Sequence, residues 1–209
     1  MIVPGFTTVI FIIFISLLIS SIAFVKKVLD EGGSVLAFLI CFISGTLGHW
    51  TWLLVLLIFV GSSFLATRFA IVYKKALGVE ESDEGTRGAS NVISNGIVPA
   101  FIALIYSMGL LNPEQALVAF TTSVAAATAD TMASEIGVLS PSPVMITNLR
   151  QKVEPGTDGG VSMEGTLASF LSSISISMIS FSAFLLLIEE NHAFNSIFKV
   201  NFLYISAFF

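Results

Sequence analysis

Long apolar segments separated by polar ones are the feature that most constrains how this sequence can fold. At 1.5 Å per residue, the longer segments can cross about 30 Å of hydrocarbon as helices. The predicted spans are residues 2–25, 33–47, 52–66, 91–111, 115–139 and 166–188, with residues 196–209 as a short seventh candidate. The sequence therefore predicts an all-α, polytopic transmembrane helical bundle with about six to seven spans in one integral membrane domain over residues 1–209.

Composition supports the same class. Hydrophobic residues make up 55% of the chain, charged residues only 11%, and the mean hydropathy is +0.94, which excludes a soluble domain. The net charge of −5 comes without any basic run, so nucleic acid is not expected as a partner. The first apolar segment lacks a basic start and a small-residue cleavage site, and we interpret it as a retained anchor.

Basic residues predict the orientation, because Lys and Arg near helix ends stay preferentially in the cytoplasm. Two long polar segments, residues 67–90 and 140–165, are predicted to be cytoplasmic loops. An outside N-terminus leaves only Lys199 outside and puts the other basic residues inside, namely Lys26, Lys27, Arg68, Lys74, Lys75, Arg87, Arg150 and Lys152. We therefore expect a cytoplasmic-membrane protein whose functional site faces the cytoplasm.

Two carboxylates, Asp130 and Glu135, lie inside the predicted fifth span. An ionised side chain within hydrocarbon costs on the order of a few kcal/mol, so each must face a polar cavity, a cation or a basic partner. On a helical wheel Ser134 lies about 40° and Glu135 about 140° from Asp130, which gives this helix one polar side. A buried ion pair for assembly is one interpretation. A functional site is favoured because Ser and Thr share the polar arc and the segment contains no Lys or Arg.

The second polar segment contains a glycine loop, which we define as residues 148–165. Its glycines, which permit close backbone approach to a ligand, are Gly156, Gly159, Gly160 and Gly165. The loop leads into the N-terminus of the sixth span, where free N–H groups favour an anion such as phosphate. It lacks the Gly-Lys-Ser/Thr ending of a Walker A motif, and a flexible turn is an open alternative.

Cations and amides near the same face add to this prediction. Lys74, Lys75, Arg87, Arg150 and Lys152 would surround two carboxylates, an arrangement that suits a magnesium-bound polyphosphate. The alternative is that these cations only follow the positive-inside rule. Asn91 and Asn95 are four residues apart and share one helix face, where amides bind phosphate oxygens or hold helices together.

Residues 129–137 (Ala-Asp-Thr-Met-Ala-Ser-Glu-Ile-Gly) and 156–165 (Gly-Thr-Asp-Gly-Gly-Val-Ser-Met-Glu-Gly), together with Arg87, Asn91 and Asn95, carry a resemblance. They are similar to the integral-membrane family that contains plant and cyanobacterial phytyl-phosphate kinase and animal transmembrane protein 19. The likeness covers roughly residues 30–188. Such proteins usually continue into a further helix that bears glycine and Asp, so either the site is complete without that helix or this sequence is shortened.

The resemblance implies a membrane isoprenyl-phosphate kinase. It would transfer the terminal phosphate of a nucleoside triphosphate, with CTP favoured, to a lipid such as phytyl or geranylgeranyl monophosphate, using Mg²⁺. Asp130 and Glu135 would be catalytic and metal-binding, with a basic partner as the alternative for Glu135. The implied nucleotide and phosphate contacts are Lys74, Arg87, Arg150, Lys152, Gly156, Thr157, Gly159, Gly160, Ser162 and Gly165. The implied lipid-phosphate contacts are Asn91, Asn95 and Ser134.

Three other functions use parts of the same pattern. A CTP-dependent lipid-phosphate cytidylyltransferase would use the same groups but release pyrophosphate. A membrane transporter would use the acidic residues for coupling and would need access to the site from both faces of the membrane. A purely structural membrane protein would show no stabilisation by nucleotide.

Overall fold

The computed structural model describes residues 5–78 and 86–188, with side chains through residue 183. This part of the chain is a bundle of α-helices with one small antiparallel sheet. The helices are α1 (Phe6–Val25), α2 (Glu31–Ile43), α3 (Trp52–Arg68), α4 (Ile71–Leu77), α5 (Ala89–Ser107), α6 (Pro113–Gly137) and α7 (Met163–Ile188). A π-helical turn, Ser44–Gly48, extends α2, and the strands are β1 (Val144–Met145), β2 (Asn148–Lys152) and β3 (Gly160–Val161).

The predicted polytopic helical class is confirmed. In the described ranges, five helices are long and apolar enough to cross a membrane: α1, α2 with its π-helical turn, α5, α6 and α7. The pair α3 and α4, bent by 56°, makes a sixth when it is counted as one broken span. The predicted seventh span, residues 196–209, lies outside the described residues.

Helix α6 is the centre of the bundle, because it packs against α3, α5 and α7. Its start is fixed by a capping box, in which Asn112 accepts from the backbone N–H of Gln115 and the Gln115 side chain accepts from that of Asn112. Further along, the Phe120 ring stacks on Trp52 of α3 with centroids 4.1 Å apart. Both rings are buried in the main apolar core. The core therefore holds α6 in place at its N-terminal half, away from the carboxylates.

Two predicted loops contain regular structure. Helix α3 continues through Arg68, and α4 follows within residues 67–90 after a left-handed turn at Ala70 (φ 54°). Helix α4, with the sequence Ile-Val-Tyr-Lys-Lys-Ala-Leu, is bent by 56° from α3, and its Lys74 side chain is buried. In residues 140–165, β1 pairs antiparallel with β2 and β3 in the order β2-β1-β3. This sheet holds both ends of the turn between β2 and β3.

Helices α6 and α7 approach closely where two glycines face each other. A Cβ added at Gly165 would lie 2.7 Å from the carbonyl oxygen of Ala133 and 2.9 Å from Cα of Gly137. Backbone atoms cannot move aside as a flexible side chain can, so only glycine fits at this position. The start of α7 is thereby held against the last turns of α6, where Asp130 and Glu135 lie.

We expect Gly165→Ala to lower the unfolding midpoint of the protein in detergent, because the methyl group would force α6 and α7 apart at a cost of about 1–3 kcal/mol. The matched control is Gly61→Ala in α3, where an added Cβ meets nothing within 4 Å. That change should leave the midpoint unchanged or raise it, since alanine favours a helix. Equal effects of the two substitutions on thermal unfolding would contradict the close approach of α6 and α7.

Candidate functional site

A cavity of about 730 Å³ opens between the C-terminal half of α6, the start of α7 and the glycine loop. Its volume is within the range of about 300–1,000 Å³ that is usual for small-molecule sites. The lining residues are Asp130, Ala133, Ser134, Glu135, Gly137, Val138, Pro143, Glu154, Gly156, Thr157, Asp158, Gly159, Gly160, Val161, Ser162, Gly165, Thr166 and Ser169. We call it the large cavity.

The large cavity joins the two motifs that sequence analysis singled out. From α6 it takes Asp130 and Ser134, both exposed to it. From the glycine loop it takes six of the eight predicted phosphate contacts, namely Gly156, Thr157, Gly159, Gly160, Ser162 and Gly165. Segments separated by some twenty residues in sequence therefore face one volume, as the predicted site requires.

The glycines of the loop serve different purposes. Gly156 (φ 82°) and Gly159 (φ 77°) adopt left-handed backbone conformations that favour glycine. Gly160 does not adopt this conformation. A Cβ at Gly160 would instead lie 2.9 Å from the carbonyl oxygen of Thr157, within the loop itself. Substituting Gly160 would therefore distort the loop whether or not a ligand approaches it.

Ser162 fixes the end of the loop to both helices. Its hydroxyl accepts from the backbone N–H of Gly165 at 3.1 Å and donates to the carbonyl oxygen of Gly137 at 3.3 Å. A serine just before the first helical residue that accepts from the third one is a usual N-terminal cap. The loop is thus anchored at the point where α7 begins, and the N-terminus of α7 faces the large cavity.

The electrostatic character of the large cavity is acidic. Besides Asp130, its lining includes the carboxylates of Glu154 and Asp158, and it includes no Lys or Arg among the described residues. Sequence analysis did not single out Glu154 or Asp158 as site residues, although both lie in the glycine loop. For Asp158, its position between Gly156 and Gly159 was the available signal. An anionic ligand would therefore have to bind together with cations that neutralise its charge.

Glu135 has a different environment from Asp130, since it is 5% exposed and its carboxylate is held by several groups. Lys74 donates to Oε2 at 2.6 Å and Arg87 donates to Oε1 at 3.2 Å. The Thr67 hydroxyl also donates to Oε1 and accepts from Arg87 at 3.0 Å. We call these four residues the Glu135 network. It joins α3, α4, α6 and the segment that leads into α5.

The position of Arg87 in this network is set by its backbone. The N–H of Arg87 donates to the carbonyl oxygen of Val28 at 2.9 Å, and the N–H of Asp30 donates to the carbonyl oxygen of Arg87 at 3.1 Å. These bonds form a short parallel bridge between Leu29 and Arg87, just before α2 and α5 begin. The guanidinium group of Arg87 therefore extends from a strand-like backbone segment that these two hydrogen bonds hold in place.

The predicted polar side of α6 is thus divided in two. Thr128, Thr131 and Glu135 are buried, whereas Asp130 and Ser134 are exposed to the large cavity. Glu135 has the basic partners that were its alternative assignment, so a buried ion pair is observed at this carboxylate. The catalytic and metal-binding role of Glu135 stays a prediction. Thr67 had no sequence signal, because its partner is distant in the chain.

Apart from Ser134, the other predicted contacts do not line the large cavity. Lys74 and Arg87 belong to the Glu135 network, and Arg150 and Lys152 lie on β2 with exposed side chains. Asn91 and Asn95 line a smaller crevice together with Arg87. Ser134, predicted with these amides, lines the large cavity instead. The predicted grouping of nucleotide and lipid contacts is therefore only partly reproduced by the geometry.

Comparison with known proteins identifies the family. Residues 14–209 match the family described as integral membrane protein DUF92. This chain belongs to that family. The DUF92 assignment confirms the family predicted from the motifs of residues 129–137 and 156–165. No solved structure matches the chain.

Several curated proteins are similar to parts of this chain. An uncharacterized membrane protein of Methanocaldococcus jannaschii is 33% identical over 153 residues, which is 73% of this chain and 60% of that protein. Protein VTE6, chloroplastic, of Arabidopsis thaliana is 32% identical over 117 residues, covering 54% of this chain and 35% of its own length. Protein PGR of Arabidopsis thaliana is 28% identical over 181 residues, covering 81% and 62%. This chain thus spans between about a third and two thirds of the length of these relatives.

The contrast between the two carboxylates predicts different effects on stability when each charge is removed. Glu135→Gln would leave Lys74 and Arg87 buried against a neutral amide, and we expect it to destabilise the protein by about 3 kcal/mol or more. Asp130→Asn should leave the unfolding midpoint near that of wild type, because the side chain is exposed to the large cavity. Thermal unfolding of the two variants in the same detergent checks this, and equal midpoints would show that the Glu135 network does not support the fold.

Proposed function

We propose that this protein is a membrane isoprenyl-phosphate kinase that transfers the terminal phosphate of a nucleoside triphosphate, CTP in the favoured case, to an isoprenoid monophosphate such as phytyl or geranylgeranyl phosphate. The observation that carries the proposal is the placing of Asp130 and the glycine loop around one cavity. The resemblance of these motifs to the phytyl-phosphate kinase family supplies the reaction class. The relatives that cover most of this chain are uncharacterized or carry no activity in their names. The nucleotide and the lipid monophosphate are therefore part of this proposal.

The donor groups of the large cavity fit magnesium carried by a nucleotide. Oxygen ligands are what Mg²⁺ prefers, and it usually takes one or two carboxylates together with substrate phosphates. Within the described residues no group of three or more His, Cys, Asp or Glu side chains could hold a metal by itself. Asp130 is therefore proposed as the protein ligand, and magnesium would supply neutralisation of the phosphate charge among the acidic side chains.

Apart from neutralising charge, the site would act by positioning the two substrates. The glycine loop would hold the nucleotide phosphates through backbone N–H groups, with Gly156 and Gly159 giving the loop its shape. An oxygen of the lipid monophosphate attacks the γ-phosphorus, and the bond from that phosphorus to the β–γ bridging oxygen breaks, so that the nucleoside diphosphate leaves. Because the attacking oxygen is already anionic near neutral pH, no strong general base is needed. Alignment and charge neutralisation then carry the reaction.

We propose that the large cavity faces the cytoplasm, where nucleotides are available. The distribution of Lys and Arg supports this orientation. The Glu135 network ties the end of α3, the start of α5 and the end of α6 together, so these polar groups gather at one end of the bundle. A transporter would need a site reachable from both ends, and this one-sided arrangement favours an enzyme instead.

The direct test incubates purified protein with Mg²⁺, CTP or another nucleoside triphosphate and a series of isoprenyl monophosphates, with isoprenyl diphosphate as the measured product. We expect Asp130→Asn to lower kcat by about 100-fold or more, because the amide keeps the shape but loses the charge. Chelation of magnesium should abolish turnover. The unfolding midpoint serves as the control for structure. Normal activity of a folded Asp130→Asn protein would remove Asp130 from the site.

A second test concerns the glycine loop. We expect Gly159→Ala to raise the KM for the nucleotide several-fold, because a side chain at this positive φ strains the loop that would hold the phosphates. The matched control is Gly109→Ala, which has a similar φ of 75° and open space around it in the turn after α5. Both changes carry similar strain, so only Gly159→Ala should change nucleotide kinetics. A selective rise in the lipid KM would instead assign the loop to the acceptor.

A further inference from the structure

The large cavity is lined at two levels. The glycine loop lines it beyond the ends of α6 and α7, whereas Asp130 and Ser134 of α6 and Thr166 and Ser169 of α7 line it from within the helices. Asp130 lies about two turns before the end of α6, and Ser169 lies about two turns after the start of α7. At 5.4 Å per turn, the cavity reaches roughly 10 Å along two helices that are long and apolar enough to cross a membrane.

An exposed apolar stripe runs along α7 from the edge of this cavity. It consists of Leu167, Phe170, Leu171 and Met178, and we call it the α7 stripe. On a helical wheel these four side chains lie within an arc of about 100°. The stripe begins directly after Thr166, which lines the cavity, and at 1.5 Å per residue it is about 16 Å long. It could therefore contact the first isoprene units of a lipid whose head lies in the cavity.

Ser169 gives an independent sign of a ligand at the membrane end of the cavity. The next hydroxyl groups along α7, those of Ser172, Ser173 and Ser175, each donate to a helix carbonyl oxygen three or four residues back. Among the described residues the Ser169 hydroxyl has no such partner, although Ser169 is half-buried and lines the cavity. A hydroxyl that its own helix does not use is available to donate to an oxygen of a ligand.

We propose that the acceptor lipid enters the large cavity from the bilayer along α7, with its phosphate at Ser134 and Ser169 and its isoprenoid chain against the α7 stripe. We call this arrangement the acceptor subsite. The inference rests on the proposed function and names where its lipid substrate binds. Of the three predicted lipid-phosphate contacts, Ser134 keeps this role, whereas Asn91 and Asn95 lie outside the acceptor subsite.

The two substrates would then reach the large cavity from opposite directions. The nucleotide would arrive on the aqueous side, where the glycine loop lies, and the lipid on the membrane side, where Ser169 and the α7 stripe lie. The carboxylates of Asp130, Glu154 and Asp158 would repel a bare phosphate. We therefore expect the lipid to bind only when magnesium is present.

Photo-crosslinking tests where the isoprenoid chain lies. The probe is geranylgeranyl monophosphate with a diazirine on its second isoprene unit, applied with Mg²⁺ to the whole protein in lipid nanodiscs and mapped by mass spectrometry. We expect labelling of residues 167–178 that unlabelled geranylgeranyl monophosphate prevents and geranylgeraniol, which lacks the phosphate, does not. Labelling elsewhere, or labelling that geranylgeraniol prevents equally well, would overturn the proposal, because the α7 stripe would then be ordinary lipid-facing surface.

Two substitutions on α7 test the acceptor subsite by binding of radiolabelled geranylgeranyl monophosphate in the presence of Mg²⁺. Ser169→Leu puts an apolar group where the phosphate would bind and should weaken binding about tenfold, whereas Phe170→Ala removes an apolar contact of the chain and should weaken it about threefold. The matched controls are Ser175→Leu, an exposed position of α7 outside the cavity lining, and Phe101→Ala, an exposed ring on α5. Both controls should leave binding unchanged.

These outcomes separate the acceptor subsite from the function. If wild-type protein binds and phosphorylates the lipid, while folded Ser169→Leu and Phe170→Ala bind it as wild type does, the lipid does not lie along α7 and the kinase proposal stands. If wild-type protein binds the lipid at the α7 stripe but transfers no phosphate to it, the lipid site stands and the proposed function fails. If wild-type protein neither binds nor phosphorylates any isoprenyl monophosphate, both fail.

Discussion

The structure depends on the buried contacts of Glu135 with Lys74 and Arg87. Removing charges from water is costly unless they are paired and hydrogen-bonded, so this carboxylate can lie in the bundle only with its cations in place. Those cations come from α4 and from the segment before α5. The 56° bend between α3 and α4 brings Lys74 to Glu135. One ion-pair network therefore fixes several segments around the end of α6.

That arrangement gives different surroundings to two carboxylates that are close together in the sequence. Glu135 organises the bundle, and Asp130, five residues earlier, is left exposed to the large cavity with the glycine loop opposite it. Close contact of Gly137 with Gly165 and the cap made by Ser162 hold the loop against α6. The acidic lining and the loop backbone together suit a nucleotide that arrives with magnesium. The proposed chemistry then needs positioning more than acid or base catalysis.

Much of the fold could be predicted because the length of the apolar segments alone indicates membrane-spanning helices. The two motifs also predicted that Asp130 and the loop glycines would lie around one site. What could not be predicted were pairings distant in the chain. The contacts of Thr67, Lys74 and Arg87 with Glu135 have no local signal, since each depends on how α3, α4 and α6 pack. The small sheet was missed because its strands are only two to five residues long.

The central claim is that the terminal phosphate of the nucleotide is transferred to a lipid monophosphate at the large cavity. Parallel reactions with CTP labelled at the γ-phosphate or at the α-phosphate test it most directly, with the label followed into the lipid product. The account predicts that γ-label enters the lipid and α-label stays in CDP. Transfer of α-label with release of pyrophosphate would contradict it and identify a cytidylyltransferase, and no transfer of either label to any isoprenyl monophosphate would contradict the proposed kinase altogether.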